Sequence, residues 1–172
     1  EEPMSLLALT GSETGPITLD RVAVQGDEII AGPVNGVMQH VGSGGAGSLM
    51  TSTLALGHAR GSLDRFRREA DARPVLEPVV RLLDSEADAV QGDLFAAARQ
   101  EANSSSPEQL RARSTDLALR SSQALLTATK GAGFAAGHPA ERLAREALFF
   151  LVWSCPQAVS TRLLHNFTGC EP

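Results

Sequence analysis

The chain has 172 residues, 42% of them hydrophobic, which suits one domain or one domain with part of another. Its net charge of -5 argues against a surface that binds nucleic acid. Its two cysteines lack CxxC spacing, which predicts a reduced protein. No apolar run reaches the ~18 residues of a membrane span, and no signal peptide is recognised. We therefore expect a cytoplasmic protein.

The first 33 residues are predicted to contain β-strands. Residues 4–9 are apolar, residues 17–24 alternate apolar and polar side chains, and residues 28–33 suit a short edge strand. Two or three strands cannot close a core alone, so they would need a partner sheet that this chain lacks. Residues 34–47 are rich in glycine, and we interpret them as a hinge because they carry no phosphate-loop GK[ST] motif.

From residue 48 onward, apolar residues recur at helical spacing. The first predicted helix ends in the basic run at residues 65–68, which would complement the negative C-terminal end of the helix dipole. Arg73-Pro74 breaks this helix, and a second amphipathic helix follows. A third begins at Ser106, a natural N-cap whose capping box is completed by Gln109.

The fourth predicted helix begins near Pro139, after a glycine-rich turn. Residues 148–152 are all apolar, so this end is predicted to be buried on every side, and a last short helix or tail covers residues 159–167. Four long amphipathic helices with short connections indicate an antiparallel bundle. We therefore predict a mainly α fold: an up-and-down four-helix bundle over residues 48–172, preceded by a few β-strands.

This order of elements resembles the C-terminal portion of the acyl-CoA dehydrogenase family. Three segments carry the resemblance: TGSETGPITLDRVAV at residues 10–24, LALGHARGSLD at residues 54–64, and GAGF followed by HPAERLAREA within residues 131–147. They are similar to the family's last strand pair, first bundle helix and last bundle helix. The resemblance implies an FAD-dependent oxidoreductase of fatty acid metabolism that acts on acyl-CoA thioesters as a homo- or hetero-oligomer.

The resemblance also implies where a catalytic glutamate should lie, and both places lack a carboxylate. The usual position corresponds to Ser154, and the position that some members use corresponds to about Gly47. A serine hydroxyl is too weakly basic to remove a substrate α-proton unaided. The isolated chain is thus expected to be inactive alone, with Trp153 lining an acyl pocket if one forms.

Contacts with FAD are implied for five residues: Arg73, Thr127, Lys130, Gly131 and Gly133. Arg73 matches the arginine of the family's Arg-x-x-Phe-Gly segment, whose Phe-Gly is missing here, and it also suits a helix end. The other four match a stretch that approaches the cofactor's phosphates. Backbone amides in such a turn bind anions, although the same residues suit a helix C-cap. No metal site is predicted.

Three functions remain open from the sequence. The chain is the C-terminal part of an acyl-CoA dehydrogenase-like flavoprotein that works with a missing half. Alternatively, it is a non-catalytic subunit that partners a catalytic acyl-CoA dehydrogenase chain. The lack of a carboxylate at both base positions favours this alternative. The third is a helical assembly module that binds neither flavin nor acyl-CoA.

Overall fold

The structure, a computed structural model, describes residues 2–29, 32, 34–35 and 49–169. The chain divides into two compact units, Glu1–Gly45 and Ala46–Pro172. The described helices are α1 (Leu49–Ala72), α2 (Glu77–Ala98), α3 (Pro107–Gly133), α4 (Pro139–Val152) and α5 (Gln157–Thr168). None of these helices is both long enough and apolar enough to span a membrane.

The described residues of the first unit contain no β-strand, so the predicted strands are wrong there. Residues 4–9 and 17–24 are irregular, and so are the described positions of 28–33, of which residues 30, 31 and 33 lie outside the description. Among the described residues of this unit, the regular structure consists of two short 3-10 turns, Thr10–Ser12 and Gly26–Glu28. The fold over the described residues is therefore helical, without a preceding sheet.

Backbone geometry explains why the alternating pattern does not form strands. Leu9, Glu13 and Arg21 adopt positive φ angles of 59°, 48° and 49°, which turn the chain and interrupt any extended run. The alternating apolar residues do not form a buried face either, since Ile17 and Leu19 are 86% and 76% exposed. A period-2 pattern specifies a strand only where a neighbouring strand and a buried face support it.

Helix α1 buries a stripe of small and apolar side chains that recur every three or four residues: Ala55, Ala59, Leu63, Phe66 and Ala70. It continues past the basic run at residues 65–68 and ends at Ala72, where Pro74 follows. The basic run therefore lies within the helix and not in its last turn. The arginines of this run therefore do not complement the helix dipole and can form other contacts.

The start of α3 confirms the predicted capping box. The Ser106 hydroxyl accepts from the Gln109 amide at 3.2 Å, and the Gln109 side chain accepts from the Ser106 amide at 3.2 Å. At its C-terminal end, α3 continues to Gly133 across a kink. Lys130 forms that kink, with φ 54° and ψ −145°.

Helix α4 begins at Pro139 as predicted, but its C-terminal end is not buried on all sides. Phe150 is buried, whereas Leu148 and Val152 are 38% and 77% exposed. The helix is amphipathic, so only one face contacts α3 and α1. The uninterrupted apolar run did not reveal this, because periodicity cannot be read from a stretch without polar residues.

Ion pairs give the directions of the first three helices. Arg60 pairs with Asp88 at 2.6 Å and Arg67 with Asp84 at 2.7 Å, so α1 and α2 are antiparallel. The order is also reversed between α2 and α3, where Asp93 pairs with Arg113 and Glu86 with Arg120. Helix α3 contacts α1, α2, α4 and α5, and the main core lies between α1, α2, α3 and α4.

Candidate functional site

The connection between α3 and α4 meets the C-terminal half of α1 at a small pocket, which we call the turn pocket. Its volume is about 120 Å³. Its lining combines cationic side chains from α1 with residues from the end of α3 and the start of α4: Arg65, Arg68, Glu69, Leu125, Thr129, His138, Pro139 and Ala140. Three helices, distant in sequence, therefore contribute to one concave surface.

The floor of the turn depends on a glycine. A Cβ atom at Gly133 would lie 1.8 Å from the Thr129 hydroxyl and 3.4 Å from the Ala140 Cβ. The Thr129 hydroxyl donates to the carbonyls of Leu125 and Leu126, both at 3.0 Å, which fixes its side chain. Only a residue without a side chain fits here, so the Thr129 side chain, one turn earlier in α3, requires glycine at position 133.

The start of α4 is capped by side chains from within the turn. The His138 Nδ1 atom accepts from the Ala140 amide at 3.1 Å, which leaves the proton of the neutral ring on Nε2. The Glu141 carboxylate accepts from Arg145 Nε at 2.6 Å and from the Gly137 amide at 2.9 Å. The Arg145 hydrogen bond, followed by that of Gly137, lowers the pKa of Glu141 from its ordinary value. Glu141 is therefore a structural carboxylate.

The turn pocket carries uncompensated positive charge. Glu69, its one acidic lining residue, forms an ion pair with Arg73. Among the described residues, Arg65 and Arg68 form no ion pair with any carboxylate. Guanidinium groups present planar donors that match the oxygens of phosphates and carboxylates. The pocket therefore has the charge of an anion-binding site.

The dimensions of the turn pocket limit what could bind there. Pockets that enclose a drug-sized ligand measure roughly 300–1,000 Å³. The turn pocket, at about 120 Å³, suits a phosphate-sized group and is too small for a flavin ring. The amides of Gly137 and Ala140 already donate within the turn, so the side chains of Arg65, Arg68 and His138 are the donors left for a ligand. The residues thus fit the phosphate portion of FAD and not its isoalloxazine.

The predicted cofactor residues are only partly brought together. Lys130, Gly131 and Gly133 all lie at the end of α3, and none of them lines the turn pocket. Thr127 is exposed and does not line the pocket, whereas Thr129 does. Arg73 reaches the site only through its ion pair with Glu69.

Sequence reasoning missed the contribution of Arg65 and Arg68. The signal was present as a basic run, but it was assigned to the dipole at the helix end. Since α1 extends to Ala72, that assignment was wrong.

Ser154, at the usual position of the catalytic glutamate, does not line the turn pocket. Ser154 is an exposed turn residue with φ 45°, and Gly47 lies outside the described residues. The Trp153 ring is 42% exposed and stacks on Phe149, with ring centroids 4.7 Å apart. The Trp153 carbonyl accepts from Arg111 at 3.0 Å.

A second, apolar pocket lies between α1 and α2, with a volume of about 340 Å³. Its lining is mostly hydrophobic: Leu49, Thr53, Leu56, Gly57, Arg60, Gln91, Leu94, Phe95 and Ala98. Trp153 lines neither of these two pockets. Over residues 2–29, 32, 34–35 and 49–169, no cluster of three or more His, Cys, Asp or Glu side chains could hold a metal ion.

No protein-family model matches this chain, and no curated protein matches it. Among solved structures, the chain is similar to one titled "Electron transferring flavoprotein of Acidaminococcus fermentans: Towards a mechanism of flavin-based electron bifurcation". The TM-score is 0.56 at 18% identity, over 67% of this chain and 35% of the other. The chain thus spans about a third of its neighbour's length, and at this identity the likeness concerns the fold alone.

The prediction that acyl-CoA is a partner of this chain is wrong. The similar structure is described as an electron-transferring flavoprotein, and no acyl-CoA substrate is named for it. The physical reason is the position of Trp153, which stacks on Phe149 and does not line a pocket that an acyl chain could enter. What remains is a helical chain similar in fold to part of a protein described as a flavoprotein.

Proposed function

We propose that this chain is a helical domain of a flavoprotein that binds the phosphate portion of a flavin nucleotide at the turn pocket and does not itself catalyse a reaction. The observation that carries the proposal is the pair of uncompensated arginines, Arg65 and Arg68, facing the start of α4. The fold likeness to an electron-transferring flavoprotein supports the choice of a flavin nucleotide over other anions.

The proposed roles follow from the chemistry of the side chains. Arg65 and Arg68 donate to phosphate oxygens, and each such charge-assisted hydrogen bond is stronger than a neutral one. His138 lines the pocket with Nδ1 occupied, so its Nε2–H is the donor available to a ligand. Lys130 follows the pocket residue Thr129 in the sequence and adds a positive charge to this end of α3.

FAD supplies redox chemistry when bound, and the chain contributes binding and electrostatics. Because the turn pocket is phosphate-sized, the flavin ring would lie against a surface outside it.

From the resemblance to the C-terminal portion of acyl-CoA dehydrogenases, this proposal takes only the architecture. Its most specific segment, residues 131–147, contains the turn between α3 and α4. In this proposal, residues 48–172 are the family-like helical domain. Ser154 at the usual base position agrees with a domain that does not catalyse the reaction.

A fluorescence titration of the protein with FAD tests the proposal. The double variant Arg65→Gln/Arg68→Gln removes both pocket cations, and we expect it to raise the dissociation constant about tenfold, equivalent to ~1.4 kcal/mol. The matched control is Arg99→Gln/Arg162→Gln, which changes the net charge equally at exposed positions outside the pocket. The control is expected to bind FAD as the unmodified chain does.

Riboflavin, which lacks phosphates, serves as the second ligand. Since the proposed contacts are with phosphates, riboflavin is expected to bind far more weakly than FAD. Equal binding of the two flavins, or equal loss of FAD affinity in both double variants, would contradict binding at the turn pocket. Absence of FAD binding at millimolar concentration would contradict the flavin proposal itself.

A further inference from the structure

The apolar pocket between α1 and α2 has the size of a small-molecule site. Its volume of about 340 Å³ falls within the roughly 300–1,000 Å³ of pockets that enclose drug-sized ligands. The N-terminal half of α1 and the C-terminal half of α2, two antiparallel neighbours, form its walls. It shares no lining residue with the turn pocket, so it is a separate candidate site.

Most of the wall of this pocket is hydrocarbon. Leu56 and Leu94 line it and also belong to the buried main core. Phe95 lines it and is 52% exposed, with the guanidinium carbon of Arg99 lying 5.9 Å from the centre of its ring. Contact between apolar surface and water is unfavourable. A ligand whose apolar part covers Phe95 would therefore gain free energy from that burial.

Gly57 keeps the α1 side of the pocket open. Among the described residues, no atom outside the helix's own backbone lies within 4 Å of the position where a Cβ would stand. Glycine inside a helix is destabilising relative to alanine, and neither a positive φ nor a close neighbour requires it at this position. A side chain here would extend into the free volume of the pocket, which glycine leaves available to a ligand.

Two polar side chains in the wall, Arg60 and Gln91, define the ligand chemistry that suits the pocket. One terminal nitrogen of Arg60 donates to Asp88 at 2.6 Å and to the side-chain oxygen of Gln91 at 3.0 Å. Within the described part of the chain, the other Arg60 nitrogens and the Gln91 amide nitrogen donate to no acceptor. These nitrogens are therefore the donors available to an acceptor atom on a ligand.

The charge of the pocket wall is already balanced. Arg60 is the one charged residue among the described lining residues, and Asp88 forms an ion pair with it. A charged ligand would lose hydration without finding an unpaired opposite charge, which is costly. An uncharged ligand with a hydrogen-bond acceptor avoids that cost.

We propose that this pocket binds an uncharged, mainly apolar small molecule that carries a carbonyl oxygen. The apolar part of the ligand covers Phe95 and the α1 backbone at Gly57, and the carbonyl oxygen accepts a hydrogen bond from Arg60 or Gln91. The site uses no residue of the turn pocket and stands independently of flavin binding.

The test uses the full chain and the uncharged fluorescent probe N-phenyl-1-naphthylamine. Its fluorescence is expected to rise saturably as the probe leaves water for the pocket, and 2-decanone is expected to displace it. Decanoate has the same number of carbons and carries a charge, so we expect it to need an about tenfold higher concentration. Backbone amide shifts caused by 2-decanone should centre on residues 49–60 and 91–98.

Two pairs of variants test the location of the site. Gly57→Met places a side chain in the pocket and is expected to raise the dissociation constant of the probe about tenfold. Gly61→Met, one turn later in α1 and outside the pocket wall, is its control and should bind the probe as the parent does. Phe95→Ala should weaken binding severalfold, whereas Phe167→Ala on α5, similarly exposed at 55%, should not. Since Phe95 is half exposed, this second pair decides the matter if Gly57→Met does not fold.

Several results would overturn the proposal. They are the absence of saturable probe binding, amide shifts centred outside residues 49–60 and 91–98, equal losses in each variant and its control, and displacement by decanoate as effective as that by 2-decanone. Light scattering covers the other occupant of such a pocket. A dimer that Gly57→Met dissociates would identify the pocket as a contact with a second copy of this chain, which contradicts a small-molecule site.

Discussion

At the scale of single residues, two glycines at the end of α3 have different local surroundings. Gly133 is buried against Thr129, so the space beyond its Cα is already filled. Gly131 has nothing within 4 Å of the position where a Cβ would stand. A comparison of alanine substitutions at the two positions therefore distinguishes a steric requirement for glycine from the general preference of helices for alanine.

Gly133→Ala is expected to lower the free energy of unfolding by about 1–3 kcal/mol, the usual cost of an overpacked site. Gly131→Ala is the control, and it is expected to be neutral or to stabilise the protein by up to about 1 kcal/mol. Urea denaturation measures both. Equal effects of the two substitutions would show that the contact between Gly133 and Thr129 does not constrain the turn.

His58 on α1 gives the core a titratable group. Its ring lies edge-on to Phe150, with centroids 5.7 Å apart. Burial lowers the pKa of His58 below its ordinary value of 6.5, and the charge of Glu146 opposes that effect. In the unfolded chain the ring takes up a proton near pH 6.5, whereas in the folded protein it stays neutral to lower pH. Acid therefore favours the unfolded state through this residue.

The free energy of unfolding is accordingly expected to fall as the pH drops below about 6.5, by at most ~1.4 kcal/mol per pH unit from this one group. His58→Leu should flatten the profile between pH 7 and pH 5. His165→Gln, on α5, controls for the loss of a histidine elsewhere. Urea denaturation at each pH gives the profile, and parallel profiles for the parent and His58→Leu would contradict the role of His58.

At the scale of elements, the cap of α3 fixes where the longest helix begins. The Ser106 hydroxyl accepts the amide proton of Gln109, which would otherwise lack a partner in the first turn. Ser106→Ala should cost about 1 kcal/mol of stability by urea denaturation. Ser104→Ala, two residues earlier and exposed, should cost almost nothing. If both serines can be replaced without loss, the capping box does not stabilise α3.

The helix starts were predictable from sequence because their signals are local. Ser106 with Gln109, and Pro139 at the first position of α4, act within one turn of the residues that they affect. The strands were not predictable, since a strand depends on hydrogen bonds to a neighbour that the sequence pattern does not supply. The extent of α1 was also misjudged, and with it the role of the basic run at residues 65–68.

At the scale of the whole molecule, the helical unit has its own core. Every residue of both buried clusters lies between Ala55 and Leu163, within Ala46–Pro172. A chain that begins at Ala46 is therefore expected to keep its helical circular dichroism and to unfold cooperatively, with a melting temperature within a few degrees of the parent. Loss of cooperative unfolding would show that residues 1–45 are required for this core.

The candidate site could be predicted only in part, because it joins segments that are distant in the chain. The resemblance pointed to Lys130, Gly131 and Gly133, which lie at the end of α3, close in sequence to the pocket residue Thr129. Arg65 and Arg68 are about 65 residues earlier and reach the pocket only through the packing of α1 against α3 and α4. Such a contact depends on how the helices pack, and neither local sequence signals nor spacing contain that information.

The most direct test of flavin binding is a titration of the isotope-labelled protein with FAD, followed by backbone amide chemical shifts. Flavin binding at the turn pocket predicts saturable shifts centred on residues 129–140 and on Arg65 and Arg68. Pyrophosphate should shift the same amides, because phosphate contacts carry the binding. Saturable shifts centred instead on the apolar pocket between α1 and α2, or no saturable shift at any concentration of FAD, would contradict the proposed function.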